Sequence, residues 1–129
     1  MGSGITVRCQ SCSYEDAFTL GIGMMYSSLE NVISLVSPRR RDTVRELLAR
    51  HDVEDVSYEH RMFICPSCSS LASRFDFSIT YNNGQVYAPY FRCSKCKEIL
   101  TPLEEPIEHV PCSICGKRTL EQAEMLLWD

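Results

Sequence analysis

Four Cys-x-x-Cys pairs constrain this chain more than any other feature: Cys9/Cys12, Cys65/Cys68, Cys93/Cys96 and Cys112/Cys115. They account for all eight cysteines. Two residues between cysteines let a tight turn aim both sulfurs at one point. Four such sulfurs satisfy a tetrahedral zinc ion at about 2.3 Å each. Two pairs make one closed site, so the spacing predicts two zinc ions per chain, with Cys9, Cys12, Cys65, Cys68, Cys93, Cys96, Cys112 and Cys115 as ligands. A site closed by four thiolates leaves no position for water or substrate, which marks it as structural and not catalytic.

At 129 residues the chain is one domain or two very small ones. Its 23% charged and 44% hydrophobic residues are those of a globular protein. The formal net charge of −4 argues against a general binder of nucleic acid, whose phosphates are met by Lys and Arg. A disulfide framework is the rival use of eight cysteines. The N-terminal Met-Gly-Ser-Gly has neither the basic nor the apolar region of a signal peptide, and no apolar run approaches the ~18 residues of a membrane span. A cytoplasmic protein with no membrane contact is therefore expected, and a reducing compartment favours zinc over disulfides.

Along the chain, Ile5, Val7 and Cys9 alternate as a strand entering the first turn, and Tyr14 to Leu20 returns from it. Met25, Leu29, Val32, Ile33 and Val36 recur at helical spacing, with Ser27 and Glu30 as a capping box. Ser37-Pro38 ends that helix and opens a second, running to about His51 on the stripe Val44, Leu47, Leu48. From Ser57 strands resume. Phe75, Phe77, Ile79 and Tyr81 alternate, and Asn83-Gly84 predicts a two-residue hairpin loop setting Tyr81 opposite Val86, Ile79 opposite Ala88 and Phe77 opposite Tyr90. The tail from Thr119 fits a capped helix or a strand, and the alternation of Ala123, Met125 and Leu127 favours a strand.

Spacing bears on which pair joins which. Fifteen residues separate Cys96 from Cys112, a recognised zinc interval. This favours a sequential arrangement, with Cys9/Cys12 joined to Cys65/Cys68 across 52 residues. A nested alternative joins the first pair to the fourth and the second to the third, the latter across 24 residues. The sequential reading divides the chain into residues 1–83, with a helical insertion at about 24–54, and residues 84–129.

Each half resembles a zinc ribbon, two hairpin turns with a Cys-x-x-Cys knuckle apiece closing over one zinc. The resemblance rests on Val7-Arg-Cys9-Gln-Ser-Cys12 with Phe63-Ile-Cys65-Pro-Ser-Cys68, and on Phe91-Arg-Cys93-Ser-Lys-Cys96 with Val110-Pro-Cys112-Ser-Ile-Cys115-Gly116. It implies two β-rich, metal-stabilised ribbons and does not cover the helical stretch. With the two helices read from periodicity inserted in the first ribbon, the expected fold class is a small α+β one. Zinc ribbons serve in transcription factors, ribosomal proteins and polymerase subunits, and as accessory modules of enzymes. They often carry Gly after the second cysteine of a knuckle. Gly116 provides it here, whereas Ser13, Ser69 and Lys97 stand at the other three positions.

Other side chains carry weaker signals. His51, His60 and His109 read as surface or hairpin residues, since eight cysteines complete two sites. Arg39, Arg40 and Arg41, with Arg45 and Arg50, form the one basic cluster, but helical geometry spreads them over both flanks of the second helix. Asp52, Glu54 and Asp55 follow closely enough to neutralise them. Tyr81, Tyr87, Tyr90 and Phe91 read first as core, second as a surface for stacking bases. Gly21 to Tyr26 reads as a loop on the core, Trp128 as a cover for the last ribbon, and Glu104, Glu105 and Glu108 as solvated linker. No nucleophile motif or phosphate-binding loop is present. The expected role is that of a non-enzymatic adaptor on a zinc scaffold with a protein partner. A nucleic-acid-binding protein of transcription or translation is the runner-up, and a redox-responsive zinc switch follows.

Overall fold

The structure is a computed structural model that describes residues 2–21 and 30–128, with the side chains of 30–32 and 126–128 excepted. Strand β1 (Gly2–Cys9) is followed by β2 (Glu15–Gly21), a 3-10 turn (Glu30–Leu35), helix α1 (Pro38–Arg50) and the long strands β3 (Val53–Ile64) and β4 (Leu71–Tyr81). Short β5 (Gln85–Tyr87) and β6 (Thr101–Pro102), a second 3-10 turn (Ile107–His109) and β7 (Leu120–Trp128) complete the order. The strands form one antiparallel sheet in the order β5-β4-β3-β2-β1-β7, with β6 added beside β3. The tail is a strand, as its alternation suggests.

The expected two-helix insertion is corrected to a single α-helix in a β-rich chain. Of the first predicted stripe, Met25 and Leu29 lie outside the described residues, as do Ser27 and most of the Gly21–Tyr26 link. What is described, Glu30–Leu35, is a 3-10 turn. The reason is local. The β-branched Val32, Ile33 and Val36 are poor helix formers, and Pro38 disfavours the α region for the residue before it. The turn's free carbonyls are met by a side chain, for Arg41 donates to Ser34 O at 2.7 Å and to Val36 O at 2.9 Å. Helix α1 forms as expected, with Pro38 in its first turn and Ser37 as N-cap. Its buried face is Val44 and Leu47.

The β4–β5 hairpin is also corrected, by one residue. Tyr81 lies opposite Gln85 and Ile79 opposite Tyr87, so the loop has three residues, Asn82, Asn83 and Gly84. All three have positive φ (46°, 64° and 100°), which Asn and Gly tolerate best. Asn82 leaves the ladder because the start of β3 captures it. Its amide donates to Asp52 O at 3.0 Å, its Oδ1 accepts from Asp52 N at 3.1 Å, and its Nδ2 lies 2.9 Å from His51 Nδ1. A slip of one residue exchanges the faces of a strand. Tyr87 thus turns toward Phe77 and Ile79, and Val86 is left 63% exposed.

Three apolar clusters hold the chain. Helix α1 packs Val44 and Leu47, with Val36, on Phe75, Phe77 and Ile79 of β4. A second gathers Val7, Phe18, Val110 and Leu120 around Cys9 and Cys112. A third sets Phe63 and Leu100 against Cys65 and Cys93. Cys9, Cys65, Cys93 and Cys112 are therefore core residues as well as candidate ligands. Truncating Ile79, fully buried in the first cluster, to Ala is expected to cost about 2–5 kcal/mol. Val86→Ala on the exposed face of the same hairpin should stay within about 0.5 kcal/mol. Urea unfolding of metal-loaded protein checks both.

Candidate metal centres

The strand ladder decides which knuckles meet. Cys9 ends β1 and pairs with Leu120 at the start of β7, and Gln10 N donates to Thr119 O at 2.9 Å. This brings the first knuckle beside the fourth. The second knuckle is the turn between β3 and β4, and β6 lies on Phe63 and Ile64 just before it. An Arg92–Ile99 bridge and Leu100 N to Phe91 O, 2.8 Å, fold the third knuckle against that edge. The result is two groups, Cys9/Cys12/Cys112/Cys115 and Cys65/Cys68/Cys93/Cys96, each with all sulfurs within 4.8 Å of one another. The sequential pairing favoured from spacing is corrected to the nested one. The fifteen residues between Cys96 and Cys112 do not close one site. They pair with β3 through Thr101 and Pro102, then travel to the other centre.

Four of the close sulfur–sulfur separations match the edges of a tetrahedral site. With bonds of about 2.3 Å, the edges of a sulfur tetrahedron are about 3.8 Å. Cys9–Cys115 and Cys12–Cys112 stand at 3.6 and 3.7 Å in the first centre. Cys68–Cys93 and Cys68–Cys96 stand at 3.6 and 3.9 Å in the second, with Cys65–Cys96 closer at 3.1 Å. All exceed the ~2.05 Å of a disulfide, and every cysteine is free.

Electrostatics supports the same conclusion. The Thr119 hydroxyl, 3.1 Å from Cys9 Sγ, draws that thiol down to about 6. The Ser70 hydroxyl, 3.2 Å from Cys68 Sγ, does the same there, again to about 6. Against the Tyr14 amide, which favours its thiolate, Cys12 is pushed up to about 12 by desolvation and by Cys9, Cys112 and Cys115. Cys96 rises likewise to about 12, the Glu98 amide being outweighed by Cys65 and its other neighbours. Four thiols this close do not ionise together unless a cation replaces their protons.

Three knuckles share one backbone form. The amide after the second cysteine returns to the carbonyl of the first: Ser69 to Cys65, Lys97 to Cys93 and Gly116 to Cys112, at 2.9, 3.0 and 2.8 Å. Those three residues take φ of 62°, 67° and 77°. Ser69 and Lys97 therefore adopt the left-handed conformation that glycine takes at least cost. In the first knuckle Cys9 N donates to Tyr14 O at 2.9 Å, and Ser13 has no positive φ. Amide-to-sulfur contacts from Ser11 to Cys9, Cys68 to Cys65 and Ile114 to Cys112, at 3.4–3.5 Å, stabilise thiolate charge.

The other candidates fall outside these centres. His51 contacts Asn82, His60 lies edge-on to Phe75 with ring centroids 5.3 Å apart, and His109 sits in the second 3-10 turn. Neither four-cysteine group includes a histidine. The acidic run after α1 does not neutralise the arginines: Glu54 accepts from Asn83 N, and the helix pairs are Arg45–Asp42 and Arg50–Glu46. Sequence reasoning missed Thr119 and Ser70 as partners of the sulfurs. Their short distance from Cys115 and Cys68 in the chain was the available signal.

Residues that support a ligand typically change metal affinity about 10–100-fold when removed. Thr119→Val should weaken the first centre by about tenfold and leave the second unchanged, as read by chelator competition. Lys97→Gly removes a left-handed side chain, a strain of about 1–2 kcal/mol partly offset by glycine's entropy. It should raise stability by about 0.5–1 kcal/mol in urea with metal present. Compared with known protein families, curated proteins and solved structures, the chain matches none, so the geometry of the two centres carries its reading.

Proposed function

We propose that this chain is a non-enzymatic interaction module of the cytoplasm, an adaptor framed by two structural zinc ions. The observation that carries the reading is the pair of closed four-thiol clusters. Soft thiolates in a tetrahedral set suit zinc. Four protein ligands fill its coordination, so the ion holds strands and leaves no place for a reacting molecule. Among the described residues no helix is long and apolar enough to cross a membrane. Two four-cysteine groups made of Cys-x-x-Cys pairs are consistent with zinc-ribbon-like sites, which supports a scaffold role, since such ribbons present surfaces for macromolecules.

Metal analysis should return two zinc per chain. Because two of the three core clusters contain cysteines, removing the metal should unfold the protein, and returning zinc should refold it. Circular dichroism through a chelator titration checks this. A chain that stays folded without metal would contradict the proposal.

A further inference from the structure

Two features far apart in the sequence meet in the fold. The arginines that open α1 and the aromatics at and after the end of β5 line one open groove of about 490 Å³, with Arg39, Arg40, Arg74 and Arg92 beside Tyr87 and Tyr90. The shifted hairpin register brings Tyr87 there, where its hydroxyl accepts from Arg40 Nη1 at 3.1 Å. The Arg40 guanidinium lies 4.8 Å from the centre of the Tyr90 ring, and that of Arg92 lies 5.7 Å from it. Tyr90 is 56% exposed.

The groove's positive charge is unanswered. Arg74 and Arg92 donate to main-chain oxygens, Ser73 O at 2.9 Å and Lys97 O at 3.1 Å. Among the described residues none of the four arginines pairs with a carboxylate, the ion pairs being those of Arg8, Arg45, Arg50 and Arg61. Like charges held together in this way favour an anion between them. The second metal centre fixes one wall: Phe91 packs on Phe63 with centroids 5.2 Å apart, and Arg92 precedes Cys93.

We propose that this groove binds single-stranded nucleic acid, with its arginines on the phosphates and a base on the Tyr90 ring. This rests on the reading of the chain as a zinc-framed interaction module and names its partner class. An exposed ring with two guanidinium groups close to it suits an unpaired base, which stacks on aromatic rings and on arginines. A phosphorylated peptide would use the arginines but leave the ring idle. Against a net charge of −4, the four arginines gathered in this groove are a local concentration of positive charge on which phosphates can be met. Composition alone favours a protein partner, whereas four arginines without a carboxylate, two of them over an exposed ring, favour a partner that offers both phosphate and base.

The test is fluorescence anisotropy of zinc-loaded protein with labelled oligothymidylate and oligouridylate of about 15 nucleotides. Binding should weaken with salt, at a log–log slope of about −0.7 per phosphate contacted. Arg40→Gln and Arg92→Gln should each reduce affinity about fivefold or more and make the slope shallower by about 0.7. Tyr90→Ala should cost about tenfold with the slope unchanged, whereas Arg118→Gln, away from the groove, should change nothing. No binding at about 20 mM salt overturns the proposal. So do variants that bind like the parent, or tighter binding of a phosphoserine peptide or a duplex of equal length. Zinc content and circular dichroism are recorded on the same samples. Two zinc without oligonucleotide binding overturns the groove and leaves the frame. A folded chain without zinc overturns the frame, while the titration still decides the groove.

Discussion

Everything in this fold depends on bringing four sulfurs to a point, twice. Each convergence places four thiols within 4.8 Å, a crowding that protons or a cation must resolve. The local chain is shaped for it: amides and hydroxyls aim at the sulfurs, and three knuckles turn through a left-handed residue. The apolar clusters around Cys9 and Cys112, and around Cys65 and Cys93, are small. A metal ion held by each group would supply order that such clusters do not reach alone.

The nesting of the two centres gives the molecule its topology. The inner centre closes a loop of 24 residues between Cys68 and Cys93, which contains the β4–β5 hairpin. The outer one joins Cys12 to Cys112 across 99 residues, so it encloses the helix, the inner centre and most of the sheet. Loop-closure entropy grows only logarithmically, about 0.6 kcal/mol per doubling. That is a small charge against the long ladder between β1 and β7. The same ladder sets Cys9 beside Leu120 and decides the pairing. Helix α1 belongs to neither centre. It packs on β4 through Val44 and Leu47 and carries Arg39 and Arg40 to the edge of the hairpin.

That all eight cysteines gather in two groups of four was legible because Cys-x-x-Cys is a local motif that aims two sulfurs at one point, as were helix α1 from Ser37-Pro38 and most strands from alternation. The connectivity was not. Cys96-x15-Cys112 satisfies a zinc interval, but interval alone does not reveal that Thr101 and Pro102 pair with β3. The one-residue shift after Tyr81 was hidden for a similar reason. Asn83-Gly84 is a strong two-residue turn signal, yet tertiary bonds between Asn82 and Asp52 outweigh it. The short 3-10 turn before Pro38 shows the same contest, with periodicity arguing for a helix and β-branching and proline against. Failures of this kind arise wherever a distant segment captures a residue that local rules had assigned.

The central claim is the nested pair of centres, and cadmium-113 substitution tests it most directly. Proton–cadmium correlation spectra link each ion to the β-protons of its own cysteines. One cadmium should couple to Cys9, Cys12, Cys112 and Cys115, and the other to Cys65, Cys68, Cys93 and Cys96. A cadmium coupled to Cys9, Cys12, Cys65 and Cys68 together would contradict the account.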